Sequence, residues 1–237
     1  PPAIAASATL RGISTVITFQ SPSSFVNAVT PQKIGIFGGA FNPPHLGHLI
    51  LAETALDQFA LHQVLWLPTY HPPHKPAPAH TFSDRWEMVQ RAIAPHPQFV
   101  ASDLEQQLGG ISYAHRTLQT LTTQNPHTEW YWLLGADAFQ TLPHWQHSHT
   151  LMAQCTWLVA PRSPTAPNPP PAPRPAPSCR WHTLAMPPVG ISSSLIRHYC
   201  QTGRSLRYLL PDPVRHYIQT HQLYQTPPPH PINEPTL

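Results

Sequence analysis

From Lys33 onward, short apolar runs alternate with stretches whose apolar positions recur at helical spacing. The runs at 33–37, 64–67, 99–102, 130–134, 156–160 and 181–186 are rich in Ile, Val, Leu and Trp and have the length of buried strands. Between them, 46–59, 83–94, 113–123 and 147–154 read as helices. In the first of these, Leu49, Ala52, Leu56 and Phe59 return every three or four residues. Two more helices are expected at 194–201 and 213–221, past the last strand. Strand and helix in alternation predict a parallel sheet covered on both faces, a doubly wound α/β domain with a small helical segment at its C-terminal end. Ligands in such sheets bind beyond the carboxyl ends of the strands.

Two segments break the alternation. Residues 161–178 (PRSPTAPNPPPAPRPAPS) are mostly Pro, Ala and Ser, a composition that favours extended polyproline-type backbone and cannot build a core. They read as an insertion in a single domain spanning 33–224. The stretch 225–237 has the same character and is expected to be a disordered tail. Residues 1–32 carry no acid and one Arg among Ser, Thr and Ala. They faintly resemble a transit peptide, but a disordered extension is the expectation.

Only 10% of the 237 residues are charged, against about a quarter in an average soluble domain, so ion-pair networks contribute little. The formal charge of +3 comes without any Lys/Arg run, which suits a small anionic substrate better than a nucleic acid. No apolar run reaches the roughly 18 residues of a membrane span. Cys155, Cys179 and Cys200 are scattered and lack CxxC spacing, so neither a disulfide framework nor a zinc site is suggested, and a cytoplasmic setting is expected.

The chemistry concentrates in GIFGGAFNPPHLGHLI, residues 35–50. Gly38 and Gly39 follow a strand and would let the chain turn sharply beside a phosphate. Asn42 reads as a helix N-cap and Pro43 as a first-turn proline, so the helix would aim free N–H groups at the same space. His45 and His48, three apart, would share a face near that N-terminus and donate to phosphate oxygens. No carboxylate stands between Lys33 and Ala52 to repel an anion.

GGAFNPPHLGH closely resembles the GG[T]F[DN]PxHxGH signature of the nucleotidyltransferase superfamily. HPPHK at 71–75, GISYAHRTL at 110–118, LLGADAFQTLPHW at 133–145, LVAPR at 158–162 and GISSSLIRHYCQTGRSLRYLLPDPVRHYIQTHQLY at 190–224 are similar to its nicotinate mononucleotide adenylyltransferase branch. The resemblance implies transfer of the adenylyl group of ATP to nicotinate mononucleotide, giving deamido-NAD and pyrophosphate, with Mg²⁺ accompanying the ATP. The nucleophile would already be a phosphate oxygen, so no general base is required and the absent carboxylate is accounted for.

The same resemblance assigns residues. His45, His48 and Arg197 would be catalytic. Phe37, Gly38, Gly39, Ala40, Gly135, Asp137, Ser192, Ser193 and Ser194 would join them around ATP. Lys75, Ser112, Tyr113, Ala114, Asp137, Trp145 and Gln146 would receive the acceptor, Trp145 by stacking on the pyridine and Ser112–Ala114 by meeting its carboxylate. No residue is implied as a metal ligand. Ala40 stands where the signature has Thr, Asn42 where Asp is commoner, Ser194 in place of Thr, and Gln146 where many relatives have Tyr. The competing expectations are a related adenylyltransferase acting on nicotinamide mononucleotide or phosphopantetheine, a non-catalytic nucleotide-binding module, and a metal-binding protein using His71, His74, His144, His147 and His149. Oligomeric state is left open.

Overall fold

The computed structural model describes residues 31–73, 80–161 and 179–225. The expected extension, Pro-rich insertion and tail therefore lie outside the described residues apart from their bordering positions, as does Lys75. Six strands form one sheet: β1 (Gln32–Gly39), β2 (Gln63–Pro68), β3 (Phe99–Ala101), β4 (Thr128–Gly135), β5 (Thr156–Ala160) and β6 (Trp181–Thr183). Their order is β3-β2-β1-β4-β5-β6 and every pairing is parallel. This is the doubly wound architecture the alternation predicts.

The helices are α1 (Leu46–Gln58), α2 (Phe82–Ile93), α3 (Leu104–Leu108), α4 (Ala114–Gln124), α5 (Ala136–Thr141), α6 (Ser148–Gln154), α7 (Ser193–Gln201) and α8 (Asp212–Thr220), with a 3-10 turn at Leu142–His144. Right-handed crossovers place α1 and α2 on one face of the sheet and α4 and α6 on the other. Consistently, α2 packs on α8 and α4 on α6. Central strands with helices over both faces bury side chains in both directions, which is why they read as unbroken apolar runs. Ile34, Ile36, Leu65, Trp66, Leu133 and Trp157 have at most 1% of their surface exposed.

Four elements differ from the expectation. β6 is three residues long rather than six because it is an edge strand, and its one neighbour, β5, stops at Ala160. Beyond Thr183 the Leu184 N–H still donates to the Val159 carbonyl, but the Ala185 N–H turns to the Gln58 side chain of α1, and Pro187 and Pro188 end any ladder. The five-residue α3 is too short to show a helical period. α5 starts directly on the glycine that closes β4, within a stretch whose sequence reads as a strand end followed by an acid. In α1 the buried positions are Leu51, Ala52, Ala55 and Leu56, so the packed stripe is turned from the predicted one and Leu49 and Phe59 lie at its margin.

The connections leave the sheet in opposite directions on either side of the β1–β4 pair. That topological switch point is where such sheets open a ligand crevice.

Candidate active site

The carboxyl ends of β1 and β4 meet at this switch point, and the first correction concerns β1. Gly38 and Gly39 do not make the turn. They continue the strand, in register with Leu67 and Pro68 of β2. The chain bends instead at Phe41, whose φ of 45° lies in the left-handed region that non-glycine residues rarely adopt. Its ring is 2% exposed and packs edge-on against Phe37 and His48, at centroid distances of 5.3 and 5.2 Å, and against Trp66 at 5.1 Å. This packing offsets a backbone cost of about 1–2 kcal/mol.

Asn42 and Pro43 do not start the helix, and this is the second correction. The Asn42–Pro43 peptide is cis, and the helix begins three residues later at Leu46 with His45 as N-cap. Asn42 is 7% exposed and turned inward, where its Oδ1 accepts from the Tyr224 hydroxyl at 2.6 Å. A residue 182 positions further along the chain thus closes on this loop. Arg85 donates to the Ala40 carbonyl at 2.9 Å, Arg197 to the Asn42 carbonyl at 2.8 Å, and the Ser193 hydroxyl to the Pro43 carbonyl at 2.8 Å.

His45 and His48 share a face at the start of α1 as expected, His45 as the N-cap and His48 as the third helical residue. Their rings stack at 3.7 Å with 28° between planes. The His45 backbone N–H donates to His48 Nδ1 at 3.1 Å, so the second ring carries its proton on Nε2. His45 Nδ1 is buried without a partner, which leaves Nε2 as the nitrogen open to a ligand. Burial lowers the His45 pKa from 6.5 to about 4. Burial, reinforced by His45, holds His48 well below 6.5. Both rings are neutral N–H donors at neutral pH.

The glycine between them is there for space. A Cβ on Gly47 would stand 3.1 Å from the His45 ring and 3.2 Å from the Val189 side chain. Across the crevice Gly135 ends β4 and N-caps α5, and a Cβ there would meet nothing within 4 Å, so this side of the switch point is open. Asp137 is exposed in the first turn of α5.

The serine cluster caps α7 as expected, and each serine has its own partner. Ser192 is the N-cap and accepts from the Leu195 N–H at 3.2 Å. Ser193 holds Pro43, and Ser194 accepts from Arg197 at 3.1 Å. Arg197 is therefore braced on both flanks, half-buried beside the cis peptide.

On the other side of the site, the Ser112 hydroxyl accepts from the N–H groups of Tyr70 and His71, at 3.0 and 3.1 Å, and its own N–H donates to the His71 carbonyl. The buried Glu105 joins the knot, accepting from the Tyr70 N–H and the Thr117 hydroxyl. Its pKa is raised, because desolvation outweighs these bonds. Tyr113 is the N-cap of α4 and Ala114 its first residue, so the N–H groups of the first turn begin there. Trp145 donates from Nε1 to the Thr141 hydroxyl at 3.1 Å and stands edge-on to Trp157 at 6.3 Å, while Gln146 is exposed.

Among the described residues no group of three or more His, Cys, Asp or Glu could hold a metal ion, and no helix is long and apolar enough to cross a membrane. Arg85, Tyr224 and Gly47 were absent from the expected site. Gly47 had a signal, its place inside HLGH. Arg85 and Tyr224 had none, since what they do depends on tertiary contact.

Comparison with known proteins agrees with this geometry. The profile of the cytidylyltransferase-like family matches residues 36–199. A probable nicotinate-nucleotide adenylyltransferase of Trichormus variabilis is 43% identical over 204 residues, 81% of this chain and 97% of that protein. One from a Synechococcus strain is 45% identical over 199 residues, 83% and 98% of the two chains. Among solved structures, the nicotinic acid mononucleotide adenylyltransferase of Plasmodium falciparum complexed with NaAD aligns with a TM-score of 0.70. It does so over 81% of this chain and 97% of that one at 18% identity, a likeness of fold.

Proposed function

The chain belongs to the nicotinate-nucleotide adenylyltransferase family of cytidylyltransferase-like proteins, and on that premise we propose that it joins ATP to nicotinate mononucleotide through the crevice between β1 and β4. An oxygen of the acceptor phosphate attacks the α-phosphorus of ATP, the bond from that phosphorus to the bridging oxygen breaks, and pyrophosphate leaves with the electron pair. No proton needs to be removed from a phosphate dianion, so the site works by positioning and by stabilising charge on the transferring group.

The observation that carries this reading is the stacked His45–His48 pair at the start of the helix after β1, its second ring fixed by the His45 backbone N–H and both rings kept neutral by burial. Two uncharged Nε2–H donors can follow negative charge as it grows on the α-phosphate and the leaving oxygen. Phe37 packs behind His48, at 5.8 Å between ring centroids. Gly38, Gly39 and Ala40 form the strand end beside the phosphates. Arg197 supplies fixed positive charge to the β- and γ-phosphates from the opposite side, with Ser192–Ser194 starting the helix that carries it. Gly135 and Asp137 suit the ribose.

Mg²⁺ fits as a companion of the triphosphate rather than a resident ion. The residues around the cradle are imidazoles, hydroxyls and guanidinium, not the carboxylates a hard cation prefers. When bound, it would neutralise charge on the phosphates. For the acceptor, the first-turn N–H groups at Ala114 suit the pyridine carboxylate, Tyr113 and Trp145 flank that position, and Gln146 borders it. Ser112, whose hydroxyl accepts from the Tyr70 and His71 N–H groups, would also shape this loop. Lys75 is proposed as a phosphate contact from the sequence resemblance alone.

The test is pyrophosphate release with ATP and, in separate reactions, nicotinate mononucleotide, nicotinamide mononucleotide and phosphopantetheine. Release is expected fastest with the first. Background release with both pyridine nucleotides would overturn the assignment.

A further inference from the structure

The three cysteines look unrelated in sequence, but the sheet brings two of them together. Trp157 of β5 and Trp181 of β6 are partners in the parallel register, and the Trp157 N–H donates to the Arg180 carbonyl at 2.9 Å. Two residues back along each chain stand Cys155, whose backbone is extended (φ −139°, ψ 170°), and Cys179. Neighbouring parallel strands run about 4.8 Å apart, inside the Cα–Cα window of roughly 4.4–6.8 Å that a disulfide spans.

The Cys155 thiol points at the Leu151 carbonyl of α6, at 4.0 Å, and Trp181, which follows Cys179 on the neighbouring strand, lies against Phe139 of α5, so this edge of the sheet meets the α5–α6 layer. Cys179 is also near enough to oppose ionisation of Cys155. Cys200 sits elsewhere, on α7 beside Tyr224. All three thiols are free in this structure.

We propose that Cys155 and Cys179 are a thiol–disulfide exchange site for low-molecular-weight disulfides, whose oxidised form ties the edge strand β6 to β5 and closes the Pro-rich insertion into a covalent loop. Cys179, partly exposed, attacks first. Its thiolate displaces one thiolate from the disulfide reagent and forms a mixed disulfide. The buried Cys155 loses its proton and attacks the Cys179 sulfur, expelling the second reagent thiolate. The two thiol protons end on the two released thiols, the protein sulfurs lose two electrons, and the reagent gains them. Burial raises the pKa of both cysteines, so exchange is slow at neutral pH and quickens in alkali.

The bond would act where the sheet is weakest. All three residues of β6 are exposed and β6 has a single neighbour, yet the chain beyond it leads to Val189 and α7, which hold the histidine loop. Closing a loop of about 25 residues should raise the melting temperature by about 5 °C or more.

The test incubates the full-length protein with oxidised glutathione at pH 8.5, maps disulfides by mass spectrometry of unreduced peptides, and compares melting with and without dithiothreitol. The expected result is a Cys155–Cys179 link with the higher melting temperature, reversed by dithiothreitol, unchanged in Cys200→Ser and lost in Cys179→Ser. Unmodified thiols, a glutathione adduct that stops at Cys179, a bond to Cys200, or a link that leaves melting unchanged would each overturn the proposal.

Discussion

The two sides of the crevice, proposed above to take the phosphates and the acceptor, are held by different kinds of contact. On the phosphate side, four side chains from positions 85, 193, 197 and 224 fasten a single five-residue loop by its backbone carbonyls and the Asn42 amide. Two aromatic residues from neighbouring strands wedge it from behind. On the acceptor side, Trp145 follows a 3-10 turn, Asp137 and Gln146 are exposed, and a knot of Ser112 with Tyr70 and His71 holds the loop. The difference matches the chemistry. The triphosphate end must present donors to a transition state without reorganising, which requires an over-determined loop. The acceptor end sets which nucleotide enters, a task that surface loops on a rigid scaffold perform.

If the phosphate side is preorganised for the transition state, removing its donor should cost rate rather than binding. His48→Ala is expected to lower kcat at least about a hundredfold, the scale of one lost transition-state donor, with the KM for ATP changed far less. Steady-state kinetics with saturating acceptor would check this. A variant with near-normal kcat would remove His48 from the reaction and leave the bracing of its loop unexplained by function.

A second way to break the comparison leaves both histidines in place and disturbs only their spacing. Gly47→Ala puts a methyl 3.1 Å from the His45 ring, closer than ordinary packing, with Val189 closing the other escape at 3.2 Å. Displacing a stacked pair by a few tenths of an ångström should lower kcat about tenfold while the circular dichroism of the folded protein stays unchanged. Unaltered kcat would mean that the loop gives more readily than its four anchors suggest.

The same contrast explains what the sequence could and could not reveal. The strands were readable because buried parallel strands are uniformly apolar, and β5 begins and ends where the apolar run does. The HLGH motif was readable as chemistry. Its geometry was not: Asn42 has the residue type of a cap, but its side chain meets Tyr224, 182 positions away, and no local pattern reports such a contact. Phe41 carries the backbone bend that Gly38 and Gly39 were expected to make, because aromatic packing can override local conformational preference. Ser112 looked like a substrate contact and is engaged by the backbone of another loop. Motif matching named the candidate residues, while the contacts that brace them came from tertiary structure.

The smallest expected effect belongs to the acceptor side and tests whether it is the softer half. Trp145 is half-buried, with one hydrogen bond and one edge-on aromatic neighbour, so its ring could serve packing alone. The two roles separate in kinetics. If the ring stacks on the pyridine, Trp145→Ala should raise the KM for nicotinate mononucleotide about fivefold or more, since an aromatic stack contributes about 1 kcal/mol beyond its buried area, while the KM for ATP stays put. Trp145→Phe should recover most of the loss, because a phenyl ring restores the face but not the N–H to Thr141. A purely structural tryptophan would behave otherwise. Trp145→Ala would then lower the melting temperature and disturb both substrates alike, and phenylalanine would rescue stability without any selective return of acceptor binding.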